Sequence, residues 1–511
     1  KLKNVYVGWN EISFPGLLGN VLSGRITNRF DLGGINSVVD AACAASLSAI
    51  KMALSELVEG RADMMLTGGV DTDNSPFMYM SFSKTPAFSK SGNIRPFDAQ
   101  ADGMLIGEGL GMLVLKRLED AERDGDRIYA VIKGVGTSSD GRYKSVYAPR
   151  SSGQALAMNR AYDEAGFAPA TVGLVEAHGT GTGAGDPTEF ESMKTVFSQD
   201  NPHKQHIALG SVKSQIGHTK AAAGAAGMIK AVLALHHKVL PPTINVTQPN
   251  PKFGIEDSPI YINTEARPWL RNGHPRRASV SAFGFGGINV HITMEEHRAE
   301  HEAPYRLHQP HRTVLLQAST PPALIAKTEE ALQQLQSKGA ETAWLDLAEA
   351  SEAAVAPNAA RLGFVAASPV EAVALLQTAL AMLEKKQEAW SHPRGIHYRS
   401  SALPADAKVV ALFSGQGAQY PGMGKELVNA FPPLRAAFDK MDRLFHEDGR
   451  EPLSRTVFPI PVFSETERRA QKAALTQTKY AQPAIGTLSM GLYKILREAG
   501  FKADFTAGHS F

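Results

Sequence analysis

Cys43 is the only cysteine in the chain, and it stands among alanines in VDAACAASLSAI, where an apolar run gives way to a helical pattern. A thiolate attacks carbonyl carbon, and a sulfur at a helix N-terminus is favoured in that state by unpaired amides and the positive end of the macrodipole. The small neighbours Ala41, Ala42, Ala44 and Ala45 leave room beside the sulfur for a substrate. Taken alone, the residue reads more simply as core filler, because free cysteine is commonly buried. Two histidines change that weighing. His178 follows the apolar run VGLVEA in a glycine-threonine turn, HGTGTGAGDP, and His218 stands in a second such turn, SQIGHTKAAAG, ahead of a helix. Turns at the carboxyl ends of strands are where sites form in α/β folds. Either histidine by itself would be a hydrogen-bonded structural group; the neighbouring His236 and His237 read as a helix end. No third ligand of evident spacing accompanies His178 and His218, so zinc is not expected.

The elements that must position these groups follow from periodicity. Leu47, Ile50, Leu54, Leu57 and Val58 recur at helical spacing after Cys43, and Gly60 is a natural C-terminal stop. From Ile35 to about His291, strand-like INSVVDAA, MMLTGGV, GMLVLKRL, VGLVEAHG and ASVSAFGFGG alternate with helical patterns and glycine turns, which reads as α/β. Around His297 the chain becomes charged and aperiodic in EEHRAEHEAPYRLHQPHR, marking an exposed domain edge. Residues 313 to about 400 then form a smaller unit: strand-like TVLLQAS, helix-like PALIAKTEEALQQLQ, strand-like RLGFVAAS and helix-like PVEAVALLQTALAMLEKK. A third unit opens with KVVALFSGQGAQYPGMG, an apolar strand entering a glycine-rich turn.

Composition narrows the function classes. The chain of 511 residues is 43% hydrophobic and 20% charged, ordinary for a globular protein with two or three domains. Lys plus Arg number 53 against 51 Asp plus Glu, and a net charge of +2 is too thinly spread to argue for nucleic acid. One cysteine makes no intramolecular disulfide and favours a reducing compartment, with the cytoplasm the expected location. The apolar run from Ala221 to Leu235 is interrupted by Lys230 and too short to span a bilayer, so no membrane role is expected. KLKNVYVGWN at the start and ADFTAGHSF at the end read as cuts within a longer polypeptide.

In order and context, DAACAASL, EAHGTGTGAGDP and VKSQIGHTKAAAG resemble the nucleophile and two histidine motifs of type I β-ketoacyl synthases of polyketide and fatty acid assembly. SAFGFGGINVH resembles the family's glycine-rich closing strand and IRPFDAQADGMLIGEG its intervening loop, the likeness running from about Gly24 to His291. Within the family, DNSPFMYMSFSKTPAFS and the stretch from IALGSVKSQIGHTK to LPPTINV look most like the first subunit of bacterial polyunsaturated fatty acid synthases. The resemblance implies a thiolase-like α/β fold of two pseudo-symmetric halves, its N-terminal part missing because 42 residues precede Cys43, and a homodimer. It assigns Cys43 as acyl-accepting nucleophile, His178 and His218 as the pair driving malonyl decarboxylation, and Lys213 as the residue that orients them. The amides of Cys43 and Phe285 would make the oxyanion hole, with Phe285 also gating the pocket. Lys213 and Glu108 read equally as ordinary buried ion-pair members.

The third unit resembles a malonyl-type acyltransferase, GQGAQYPGMG matching its opening motif and GHSF its nucleophile elbow. By that resemblance Ser510 is the nucleophile, with the amides of Gln416 and Phe511 as oxyanion donors, while the family's histidine base and carboxylate-binding arginine fall downstream of the elbow, so this stretch alone should not be a working acyltransferase. The implied boundaries are 1–297 for the synthase, 298–407 for an α/β connector and 408–511 for the start of the acyltransferase. No bound cofactor is implied; the partners are acyl carrier protein domains bearing phosphopantetheine and other synthase subunits, with malonyl-CoA as substrate. A thiolase shares the fold but needs a second cysteine, and a scaffold or chain-length subunit has no chemical need for Cys43, His178 and His218 together.

Overall fold

The computed structural model describes residues 11, 13–85, 87–271, 273–298, 311–353, 356, 358–386, 388–401, 403–404 and 406–510. They fall into two compact units, one of residues 1–304, 414–500 and 508–511, the other of 305–413 and 501–507.

In the first unit, α1 (Val21–Phe30) precedes the turn carrying Cys43, which runs into α2 (Ala45–Val58), β1 (Met64–Asp71), α3 (Pro76–Lys84), β2 (Gly109–Lys116) and α4 (Leu118–Arg123). β1 and β2 pair antiparallel, from Met64 opposite Lys116 to Asp71 opposite Gly109. There follow β3 (Val131–Ser139), α5 (Ser151–Ala165), β4 (Leu174–Glu176), α6 (Gly185–Phe197), β5 (Ile207–Gly210), α7 (Lys213–Ile216) and α8 (Ala223–His237). β6 (Val239–Leu240), β7 (Ile260–Ile262), β8 (Arg267–Pro268), β9 (Arg277–Gly284) and β10 (Ile288–Glu295) complete this stretch.

One sheet takes the order β3-β10-β9-β4-β5-β7. β4 is parallel to β5 and to β9, β5 is parallel to β7, and β10 is antiparallel to both β3 and β9. Every residue of β4, β5 and the edge strand β7 is buried, as expected of parallel strands covered on both faces.

Helices α2 and α8 lie between this sheet and the β1–β2 ribbon, and small residues let them approach closely. Adding a Cβ to Gly224 of α8 would bring it within 2.7 Å of Leu47 Cγ and 2.8 Å of Ser46 Oγ on α2. Ser46 Oγ instead accepts the Ala225 N–H at 2.9 Å. Leu47 and Ile50 of α2 are fully buried, each contributing about 1.5–3 kcal/mol of transfer free energy. On the opposite face α5 presses onto β3, where a Cβ at Gly136 would stand 1.8 Å from the Ala157 carbonyl oxygen.

Two local expectations are corrected. INSVVDAA forms no strand; residues 35–41 are irregular and reach Cys43 without a ladder partner. Val58, counted among the apolar helix positions, is 82% exposed, while Leu57 beside it is buried. Gly60 ends the helix with φ +69°, a left-handed conformation that glycine adopts without steric cost. The likeness to a two-half fold is uneven among the described residues: the part before β3 supplies a two-stranded ribbon, while β3 and the part after it supply the six strands of one sheet.

The second unit contains β11 (Arg312–Ala318), α9 (Pro321–Leu335), α10 (Ala340–Ala350), β12 (Ala360–Ala366), α11 (Pro369–Leu383), β13 (Trp390–His392), β14 (Ile396–Arg399) and β15 (Val410–Phe413). Its sheet, β11-β12-β14-β13, is antiparallel throughout. The helices cover it through a core that includes Leu324, Trp344, Phe364 and Leu376. α10, β13 and β14 were not anticipated. Most of the charged stretch after His297 lies outside the described residues.

Returning to the first unit, residues 414–500 form α12 (Lys425–Ala430), α13 (Pro432–Glu447), α14 (Leu453–Val457), α15 (Glu465–Thr476) and α16 (Thr478–Glu498); β16 (Phe505–Gly508), all but its last residue in the second unit, leads to the turn at Ser510. No helix among the described residues is long and apolar enough to cross a membrane.

Candidate active site

Three turns converge where parallel strands end. β4 delivers His178 two residues past its last member, β5 delivers Lys213 and then His218, and β9 ends in the turn Phe285-Gly286-Gly287. Gly286 and Gly287 take φ of +97° and +77° there, the conformations that the hairpin to β10 requires.

Cys43 sits in a single 3-10 turn, Ala42–Ala44, directly ahead of α2, and is 9% exposed. Ala42 has φ +48°, a left-handed value rare for a residue with a Cβ, and its N–H donates to Asp40 Oδ1 at 3.0 Å. The end of β9 lies against this turn: a Cβ at Gly284 would stand 2.5 Å from the Ala41 carbonyl oxygen. The thiol is pushed up by burial, against the pull of the Lys213 charge and of the backbone N–H groups of Phe285 and Cys43. The helix N-terminus was expected to favour the thiolate; desolvation outweighs it.

The imidazoles of His178 and His218 stand nearly perpendicular, with centroids 5.5 Å apart. His178 Nδ1 accepts the Phe283 N–H at 3.4 Å, and His218 Nδ1 accepts the Lys220 N–H at 3.0 Å. An Nδ1 that accepts leaves the ring proton on Nε2, so both histidines are Nε2–H donors. Burial first, and the Lys213 charge second, hold both well below the usual imidazole range, so both are neutral. His218 is buried and its backbone N–H donates to the Leu105 carbonyl at 2.8 Å. His178 retains partial exposure.

Lys213 is buried, with burial drawing its ammonium down and the carboxylates of Glu176 and Glu189, the Cys43 thiol and Asp186 opposing that effect. The acids are themselves tied into the turn. Glu189 accepts the N–H groups of His178 at 2.7 Å and Gly179 at 2.8 Å. Asp186 accepts those of Phe97 at 2.7 Å and Gly181 at 2.9 Å. Burial pushes Asp186 up to about 6 and Glu189 up to about 7. Glu176 meets Lys230 at 2.8 Å. Glu108 is exposed, not buried in an ion pair, and accepts the Asn74 N–H at 3.0 Å.

Phe285 is 44% exposed. Its ring lies against Phe82 at 6.5 Å and meets Tyr147 edge-on at 5.8 Å, so it stands among aromatic neighbours.

The GQGAQ and GHSF motifs form a second group of residues. Ser510 has φ +55° and is exposed, as a strained elbow requires. A Cβ at Gly415 would stand 1.8 Å from the His509 carbonyl oxygen and 2.9 Å from Ser510 Cβ, so the GQGAQ turn and the elbow are in contact. The side-chain amide of Gln416 donates to Thr478 Oγ1 at 3.3 Å. Phe511 lies outside the described residues.

The site thus joins Cys43, His178, His218 and Lys213 with the backbone of Phe285. It adds Glu189, Asp186, Phe283 and Lys220, which sequence reasoning did not single out. Lys220 stands inside a motif already quoted and the two acids within or just past the other, GTGAGDPTE, but nothing in the letters says which N–H groups they face.

Comparison with known proteins agrees with this geometry. The N-terminal domain of β-ketoacyl synthases matches residues 5–121, their C-terminal domain 129–247, the ketoacyl-synthetase C-terminal extension 249–365, and the acyl transferase domain 410–511. A polyunsaturated fatty acid synthase subunit from Thraustochytrium is 44% identical across 100% of this chain, which covers 19% of that protein. A polyketide synthase of Streptomyces halstedii is 35% identical across 98% of the chain, which covers 6% of it. The chain therefore spans about a fifth or less of these relatives. Among solved structures, the ketosynthase from module 6 of the Bacillus subtilis bacillaene synthase superposes with a TM-score of 0.55 at 37% identity, over 74% of this chain and 66% of that one. The oxazolomycin ketosynthase domain of Streptomyces albus gives 0.53 at 30%, over 76% and 65%. The chain belongs to the β-ketoacyl synthase family, with its thiolase-like fold, and continues into the start of an acyl transferase domain.

Proposed function

We propose that the protein condenses an acyl group held on Cys43 with a malonyl unit carried by an acyl carrier protein, lengthening a fatty acid or polyketide chain by two carbons. The observation that carries this reading is the pair of neutral imidazoles whose Nδ1 atoms both accept backbone N–H groups, leaving two Nε2–H donors beside a buried sulfur. Cys43 attacks the carrier thioester; the new C–S bond forms, the carrier sulfur leaves, and the proton lost by Cys43 ends on that sulfur. The amides of Cys43 and Phe285 stabilise the oxyanion of that step. Malonyl thioester then loses carbon dioxide, and its two bond electrons become an enolate whose oxygen takes hydrogen bonds from His178 and His218. Neutral donors suit this task because neither surrenders its proton. The enolate carbon attacks the Cys43 thioester, a C–C bond forms, and the pair of the breaking C–S bond returns to sulfur under the field of Lys213. Phe285 gates the pocket, and exclusion of water protects the acyl intermediate.

The same reading takes 1–297 as synthase, 298–407 as connector and 408–511 as the start of an acyltransferase in which Ser510 receives malonyl from malonyl-CoA, with the amides of Gln416 and Phe511 as oxyanion donors. Phosphopantetheine arrives on the carrier domains. The assembly is a homodimer working with other synthase subunits in the cytoplasm, and the closeness to a polyunsaturated fatty acid synthase supports that product class.

Incubating the intact synthase with acyl thioester and mapping the adduct by peptide mass spectrometry tests the first step. An acyl adduct on Cys43 that disappears in Cys43→Ala is expected, and one that persists unchanged overturns the assignment. His178→Ala is expected to abolish carbon dioxide release from malonyl carrier while acylation continues; the opposite split reverses the roles.

A further inference from the structure

His218 owes its tautomer to one backbone N–H, and the residue that supplies it is held in an unfavourable conformation. Lys220 has φ +51°, a left-handed value that costs a residue with a Cβ roughly 1–2 kcal/mol. Its N–H donates to Nδ1 of His218 at 3.0 Å; with His218 and the start of α8 held on either side, relaxing φ of Lys220 would turn the Thr219–Lys220 peptide and swing that N–H away. The side chain of the same residue supplies the restraint. Its ammonium is buried and meets Asp71 Oδ1 at 3.0 Å, Asn74 Oδ1 at 2.9 Å and the Gly107 carbonyl at 2.9 Å. All three donor positions of the ammonium are filled. The acceptors come from the end of β1, the segment after it and the segment before β2, and those segments are anchored in turn. Glu108 accepts the Asn74 N–H at 3.0 Å, and the Gly107 N–H donates to the His218 carbonyl at 2.9 Å.

We propose that Lys220 is a positioning residue for His218: its three-point side-chain anchor sustains the strained backbone that keeps the His218 proton on Nε2, facing the enolate. The inference rests on the decarboxylating role given to His218 above. Lys220 touches no substrate in this scheme; it acts through the imidazole.

The test compares Lys220→Ala with Lys220→Gly in the intact synthase, reading carbon dioxide release from malonyl carrier protein alongside acylation of Cys43. Alanine removes the anchor and keeps the strain, so decarboxylation is expected to fall about 100-fold, the order of loss that a small misplacement causes. The loss is expected in kcat, with KM for malonyl carrier and the rate of Cys43 acylation unchanged. Glycine removes the anchor and also the strain, so it is expected to recover at least about a tenth of wild-type decarboxylation. Asp71→Asn weakens the anchor while leaving Lys220 in place, and is expected to give an intermediate loss even where Lys220→Ala does not fold. Equal falls for alanine and glycine overturn the proposal, because the charge and not the backbone then matters; so do wild-type rates in Lys220→Ala and Asp71→Asn, or parallel loss of Cys43 acylation. A wild-type synthase that acylates Cys43 yet releases no carbon dioxide refutes the function assigned to His218 and the positioning role with it.

Discussion

Phe283 and Phe285 lie two positions apart at the end of one strand and aim their backbone N–H groups at two different reactive centres, the Nδ1 of His178 and the sulfur of Cys43. Alternate residues of a strand send their N–H groups to the same side. One short stretch of main chain therefore sets the His178 tautomer and meets the Cys43 sulfur together.

Gly284, between them, is the position where this arrangement is most easily broken. A Cβ there would stand 2.5 Å from the Ala41 carbonyl oxygen and 2.8 Å from Ile288 Cγ2. Backbone on one side leaves little room to yield, so Gly284→Ala is expected to cost about 1–3 kcal/mol. It should also slow Cys43 acylation by at least about tenfold, as the strand end lifts from the nucleophile turn. Thermal unfolding and single-turnover acylation measure the two effects; wild-type values in both would contradict the close approach.

The thiol of Cys43 is raised by burial and lowered by Lys213. The rate of iodoacetamide labelling against pH should accordingly show a midpoint above that of an exposed thiol. Lys213→Met should move it further up, because removing a cation disfavours the thiolate. A midpoint below that of an exposed thiol would restore the helix-terminus effect as the dominant one.

Glu189 satisfies two donors at once, the N–H groups of His178 and Gly179. Glu189→Ala leaves both without their acceptor, at about 1–3 kcal/mol each where water does not replace it. Decarboxylation should fall with stability, and Glu189→Gln, which keeps one acceptor oxygen, should lie between. Denaturant midpoints and carbon dioxide release decide this; full activity in Glu189→Ala would remove the acid from the site.

His291 is fully buried in β10, with Nδ1 2.9 Å from Ser281 Oγ and Nε2 3.4 Å from the Tyr162 hydroxyl. Burial pushes it down to about 3 from an ordinary value of 6.5. The unfolded chain therefore binds a proton below about pH 6.5 that the folded chain refuses until about pH 3, and stability falls as pH drops through that window. From pH 7 to pH 5 this one ring should cost about 2 kcal/mol. His291→Gln should flatten that slope in denaturation measured across pH, and an unchanged slope would assign the acid sensitivity elsewhere.

What could be read from the letters alone is instructive at particular residues. His178 and His218 were legible because an apolar strand ending in a glycine-rich turn is a local pattern, and Cys43 because a lone thiol among alanines ahead of a helical period stands out; the structure brings the three together. The Phe283 amide was not legible, since a backbone donor carries no side-chain signature. Glu189 was missed because its value depends on which N–H groups it meets, a tertiary fact. INSVVDAA was misread for the opposite reason: its β-branched residues satisfy strand propensity, but no described strand lies alongside to accept them. Val58, the last residue of α2, fitted the helical period and still faces outward, while Leu57 beside it takes the buried face.

The crossing of α2 and α8 at Gly224 carries a further meaning. Each helix begins just after a reactive residue, Cys43 in one case and His218 in the other, so the crossing works as the jaw of a caliper. Its opening is set by the absence of a single methyl group against Leu47 and Ser46. The spacing of the segments that carry Cys43 and His218 is thus gauged within the helices and not at the two side chains themselves.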